Sequence, residues 1–343
     1  MSSPFHIRIA WLPSLARWVA CIGATVQESA QRVFSAPLWA RTAARLRLLF
    51  PGRRRRLHLT LLALRTGSPR ERWEAAAALG RAPASPEVLA ALIAALDDAE
   101  PFVRAEAAAS LARFDARIVR EALWQALGSG EPRRVVAAAE ALGHLREGES
   151  VGPLLAALQT GGPSVRVSVL EALGRIGRAE ALPTLLQALN DPIPAVRWAA
   201  AGALGRLGRA EASAALSARL AASVRPREAP TEAGRVQGGD LPTNEPMLVR
   251  RRLAWALGRT GGGSEATAVL MSALNDVDTE VRRQAALALG ALGDPAALPA
   301  LRSLLAALSG EDDGSVAEAA RVAIAALEAR LAPTSPLPTE ETP

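Results

Sequence analysis

The sequence predicts an all-α fold, a right-handed α-solenoid of about eight helix pairs, and three observations point to it. A short pattern recurs, as VRVSVLEALGRIG from Val165, VRWAAAGALGRLG from Val196 and VRRQAALALGALG from Val281. Weaker copies start at Val103 and Val249, and Arg134 heads another. Their starts, with one more at Val316, fall at 103, 134, 165, 196, 249, 281 and 316, the first three intervals being 31 residues each. A fixed period of that length signals one small unit stacked on the next. Composition agrees: half of the residues are apolar but only 3% are aromatic. The core is therefore built of Ala and Leu, which suits closely packed helices and not a sheet. Finally, each unit reads as two helices, such as ALPTLLQALN at 181–190, a polar turn, and then the Val-Arg helix.

Taken in order, residues 1–56 stand outside the repeats. Trp11, Leu15, Trp18 and Ile22 recur at helical spacing, as do Trp39, Ala43, Leu46 and Phe50, with Arg17, Arg41, Arg45 and Arg47 between them. Two basic amphipathic helices follow, broken near Pro37 and stopped at Pro51-Gly52. Pro13 and Arg17 interrupt the apolar run from Ile9 to Val26, which argues against a membrane span and against a signal peptide. Arg53, Arg54, Arg55 and Arg56 form a run directly before the first repeat helix. Residues 1–70 hold 12 Arg against the single acid Glu28, a net +11, whereas the other 273 residues hold 28 Arg against 33 acids, a net −5. A basic arm on an acidic-leaning body points to an anionic partner for the arm. The one cysteine, Cys21, excludes an internal disulfide and fits a reducing cytoplasmic compartment.

From Leu57 to Ala332 the chain divides into helix pairs. Leu79, Leu111, Leu142, Leu173, Leu204, Leu257 and Leu289 share one position, and Gly follows all but Leu111. A small residue there lets helices approach closely and closes the second helix. The interval from Val196 to Val249 is 53 residues, 22 more than the period. The surplus is the Pro-, Gly- and Thr-rich stretch 224–246, an inserted loop between the two helices of the sixth unit. The Pro-rich tail 333–343 is expected to be disordered.

With these residues in view, the 31-residue unit resembles the short bacterial HEAT repeat, the type also found in phycobilisome lyases. The resemblance implies that second helices line a concave face, with an Arg and an acidic turn residue forming a ladder between neighbouring units. Arg104, Arg166, Arg197, Arg250 and Arg282 match the Arg position, and Asp98, Asp191 and Asp276 the acidic turns. The ladder breaks at Val135 and Ala317.

Catalysis finds little support. His6, His58 and His144 are scattered, no His-Glu pair repeats as in the deoxyhypusine hydroxylases of the fold, and no metal constellation or phosphate loop occurs. No cofactor or metal is expected, and the carboxylates Glu140 and Glu171 align without any visible tuning. Binding is better supported. Trp73 and Trp198 follow the ladder arginine, and Arg251, Arg252 and Trp255 sit beside the insertion, a composition enriched at interface hot spots. Gap-filling between Ala-rich helices is the other reading of these Trp residues. Arg175, Arg178, Arg206, Arg209 and Arg259 form a row at helix C-termini, where the dipole favours cations; a basic rim that tracks an acidic partner or a nucleic-acid backbone is the alternative. The expected function is a non-enzymatic scaffold that binds a protein or peptide, alone or within a multi-subunit complex. Its arm anchors it to an assembly or to the anionic surface of the inner membrane. A lyase-like or chaperone role handling a tetrapyrrole or its acceptor protein, implied by the resemblance, and nucleic-acid binding through the arm are the alternatives. The arm reading predicts that a peptide of residues 1–56 becomes helical on anionic vesicles, with a blue shift of Trp11, Trp18 and Trp39 emission. Unchanged emission would transfer the arm to protein docking.

Overall fold

The computed structural model describes residues 53–226, 245–308 and 314–331. Trp11, Trp18, Trp39, Arg41, Arg45, Arg47, the centre of the insertion and the tail lie outside the described residues. Within them there are sixteen α-helices and no strand. They fall into two compact units, Met1–Ser110 and Leu111–Pro343.

The first unit holds α1 (Arg53–Thr66), α2 (Pro69–Leu79), α3 (Pro86–Ala95) and all but the last residue of α4 (Pro101–Leu111). The four-arginine run is the first turn of α1 and does not precede it, and Arg54 and Arg56 are exposed there. Ser68 opens α2, and its backbone N–H donates to Glu71 at 2.8 Å.

The second unit holds twelve helices. They are α5 (Ala116–Leu127), α6 (Pro132–Leu145), α7 (Val151–Thr160), α8 (Pro163–Ile176), α9 (Leu182–Ala188) and α10 (Pro194–Leu207). There follow α11 (Ser213–Ala221), α12 (Met247–Thr260), α13 (Ser264–Ala273), α14 (Thr279–Leu292), α15 (Leu298–Ala307) and α16 (Gly314–Leu331). The even-numbered, second helices pack one on the next from α6 to α16, and each odd-numbered first helix lies against its own second helix. In the first unit α1 packs on α2, and the serial packing of helix pairs in the second unit is that of an α-solenoid.

Local chemistry sets the helix ends. Proline opens α3, α6, α8 and α10, where its missing N–H costs nothing because the first turn has no intrahelical acceptor. Asp115 and Asp278 cap α5 and α14 by accepting from the backbone N–H of Arg117 and Val281. The C-terminal ends correct the sequence reading. Helices α2 and α4 end at the shared leucine, Leu79 and Leu111, but the later second helices do not close there; α8, α10, α12 and α14 run three residues further and end at Gly177, Gly208, Gly261 and Gly293. Those four glycines have φ between 64° and 80°, a left-handed conformation that a side chain disfavours.

The Leu-Gly glycine serves packing instead. A Cβ on Gly174 would lie 2.6 Å from the Cα of Ala203, and one on Gly143, Gly258 or Gly290 would lie within 2.9 Å of the Cα of Ala172, Ala288 or Ala323. Glycine on one second helix thus faces alanine backbone on the next, and the preceding leucines, Leu142, Leu173, Leu204, Leu257 and Leu289, are fully buried. Each such leucine contributes about 1.5–3 kcal/mol of burial.

Gly174→Ala is therefore expected to cost about 1–3 kcal/mol by overpacking, read as a lowered urea midpoint. That is opposite in sign to the gain of roughly 0.5–1 kcal/mol that Gly→Ala brings in an unobstructed helix.

Candidate functional site

The second helices begin with a chain of ion pairs. In the second unit Arg166 pairs with Asp191 at 3.0 Å, Arg197 with Glu245 at 2.8 Å and Arg250 with Asp276 at 3.0 Å. The following arginine grips the same turn through its carbonyls. Arg197 donates to Asp191 O at 2.7 Å, Arg250 to Glu245 O at 2.8 Å and Arg282 to Asp276 O at 2.9 Å. The first unit repeats the motif, with Arg72 on Asp98 at 2.7 Å and Arg104 on Asp98 O at 2.8 Å. Each of the turns at Asp98, Asp191 and Asp276 is held by two guanidiniums, one on its carboxylate and one on its backbone.

Glu245 is the member that sequence reasoning missed, because it lies at the end of the Pro- and Gly-rich insertion. Arg72–Asp98 and Arg250–Asp276 span 26 residues, and Arg197–Glu245 spans 48. The difference is the 22-residue surplus, and that arithmetic was the signal available. Glu245 is 1% exposed and also accepts from Arg219 of α11 at 2.6 Å. The other end of the insertion is fixed as well. Arg225 N–H donates to Asp276 at 3.0 Å, and Val277 N–H donates to Arg225 O at 2.7 Å.

Outside this ladder, α10, α12 and α14 bring four of the candidate residues together. Arg252 lies over the Trp198 ring, 4.0 Å from its centroid, and 5.3 Å from that of Trp255. Arg259 reaches the Trp255 ring at 5.5 Å, and its Nε donates to Gly205 O at 3.0 Å, satisfying a C-terminal carbonyl of α10. Trp255 lies across Gly205, where a Cβ would be 2.5 Å from the ring. Trp198, Arg251, Arg252, Trp255, Leu248 and Glu280 border an open depression of about 350 Å³. Leu248 is 56% exposed.

The adjacent arginines differ. Arg251 donates two bonds of 2.8 Å to Asp278, whose side chain also caps α14. Hydrogen bonds from Arg251 outweigh burial and hold the Asp278 carboxyl below the ordinary carboxylate range. The stabilisation from that pair is thus present above the ordinary range and lost as pH falls through the lowered value. Arg252 makes no such pair among the described residues. Burial pushes its guanidinium down, with Glu171 opposing. Trp73 belongs to the first unit, on α2, and is 41% exposed. Trp124, which the sequence reading did not single out, donates to Ser150 at 2.8 Å beneath Arg120.

Among the described residues, no group of three or more His, Cys, Asp and Glu side chains could hold a metal. No described helix is long and apolar enough to cross a membrane.

A family model described as HEAT repeats matches residues 57–143, 151–233 and 242–328, well over half of the chain. The chain belongs to the HEAT-repeat family. A second model, described as the PBS lyase HEAT-like repeat, matches residues 135–160. No curated protein matches the sequence significantly. Among solved structures, YibA of E. coli is 17% identical over 85% of this chain and 97% of its own, with a TM-score of 0.52. The complex of Kap95p with RanGDP gives 13% identity, 79% and 40% coverage and a TM-score of 0.53. The CpcE–CpcF phycocyanin lyase complex of Nostoc sp. PCC7120 gives 23% identity, 79% and 94% coverage and a TM-score of 0.40. At these identities the likenesses show the fold alone.

The ladder carries a stability prediction for this HEAT-repeat chain. Glu245→Ala leaves Arg197 and Arg219 without their carboxylate and should cost about 3–5 kcal/mol in urea unfolding. A loss below about 1 kcal/mol would show that the insertion's end is not part of the ladder.

Proposed function

We propose that this HEAT-repeat chain is a non-enzymatic scaffold that docks a protein or peptide partner on the second-helix face of α10, α12 and α14. Arg252, held between Trp198 and Trp255 beside an open depression, carries that reading. Stacking keeps the guanidinium extended and its donors available, so little conformational entropy is lost when a partner engages them. Tryptophan and arginine are also the residue types that dominate interface energetics. The exposed Leu248 adds apolar contact at the edge of the depression. The basic segment 1–56 would tether the scaffold to a larger assembly or to an anionic surface. The PBS lyase HEAT-like repeat model matches residues 135–160, and it supports the fold without adding pigment chemistry.

The test compares the wild-type chain with Leu248→Asp and with Trp255→Ala combined with Arg252→Ala. Partners captured from the native host by wild-type protein should be recovered at least about tenfold less with both variants, in line with the cost of losing one hot-spot residue. Far-UV circular dichroism should stay unchanged. Equal recovery by folded variants would remove the second-helix face from the function.

A further inference from the structure

Beyond the stacked pair, the same face carries positive charge that the ladder does not neutralise. Arg175 and Arg206 occupy the same position on consecutive second helices, α8 and α10, and Arg252 stands on the third, α12. Each lies across the glycine of the helix before it. A Cβ on Gly143 would be 3.5 Å from Arg175 Cδ, one on Gly174 3.1 Å from Arg206 Nε, and one on Gly202 3.2 Å from Arg252 Nε. The Nε atoms of Arg206 and Arg252 are buried without a hydrogen-bond partner. Neither guanidinium is in a salt bridge among the described residues, and Arg175 meets Glu171 only at 3.4 Å. Burial pushes Arg206 down, Glu171 opposes this, and the nearby Arg252 and Arg175 push it further down. One carboxylate thus serves three neighbouring cations, on a body whose residues 71–343 sum to −5.

We infer that this row is the recognition surface for an extended acidic peptide, with successive carboxylates paired to Arg175, Arg206 and Arg252. This rests on the scaffold reading above and names the chemistry of the partner. Spacing supports a peptide. Packed helices stand about 8–10 Å apart, and a polyproline II chain returns to the same face every three residues, roughly 9 Å on. An acidic residue at every third position would therefore meet one arginine per helix, and arginine donors match carboxylate geometry in pairs. The same face does not favour nucleic acid, because Arg252 covers the Trp198 ring on which a base would stack.

The probe is a fluorescent (Glu-Pro-Pro)4 peptide, with (Gln-Pro-Pro)4 as its neutral counterpart, titrated against the full chain by anisotropy. The glutamate peptide should bind, weaken steeply between about 50 and about 200 mM salt, over which the Debye length halves, and outcompete the glutamine peptide. Arg206→Gln with Arg252→Gln should weaken it at least about tenfold. Arg117→Gln with Arg302→Gln removes equal charge from exposed positions on the first helices α5 and α15 and should leave affinity within about twofold. Equal losses from both double variants would overturn the inference, as would no binding, or oligothymidine of equal charge binding as well with the same losses. If the glutamate peptide fails while Leu248→Asp still abolishes partner capture, the scaffold reading stands and the acidic chemistry falls.

Discussion

A guanidinium buried between helices must find a carboxylate and carbonyls, or its desolvation goes uncompensated. In the second compact unit that requirement ties consecutive helix pairs from Arg166 through Arg197 to Arg250. Arg197, Arg250 and Arg282 are almost fully buried, and each reaches forward to an acid or back to the turn before it. Such pairs contribute little net stability, since desolvation consumes most of the attraction. What they supply is register, because a slip of a single residue would strand a charge. The insertion shows how strict this is. However the chain runs from 227 to 244, it returns with Glu245 against Arg197 and Arg219, and its other end is pinned to Asp276.

Register in turn sets how close the second helices come. Gly174 against Ala203 and Gly258 against Ala288 bring backbones together where no side chain fits. Alanine at 199–201 and 203 leaves α10 with a low surface, so the few large residues on it are conspicuous. Trp255 takes the place of a smaller side chain and lies over Gly205, and Arg252 lies over Gly202. The tryptophans therefore fill space between thin helices and also shape the surface. Gap-filling and binding are compatible uses of one ring: one face packs while the other orders a cation.

Neighbours in sequence end with different duties because their partners differ. Arg250 turns into the ladder, Arg251 takes Asp278, and Arg252 stacks on tryptophan. Three consecutive arginines on one helix point in three directions about 100° apart, since the helix turns by that amount per residue. Only the neighbouring helices decide what each direction meets.

The sequence by itself determined the repeat, the pairing of helices, the recurring arginine position, whose ladder role the family resemblance implied, and the place of the insertion. All of these are periodic along the chain, and periodicity survives projection onto one dimension. The double role of Leu-Gly was half legible: a small residue was needed, but for contact with the next helix, with the turn set by a second glycine three residues on. Tertiary structure alone decided that Glu245 completes the ladder, that Arg251 is neutralised while Arg252 is stacked, and that Glu171 pairs with Arg175 while the Nε atoms of Arg206 and Arg252 are buried without a hydrogen-bond partner. These depend on which side chains meet across helices tens of residues apart. Composition counts charges but does not say which of them face each other.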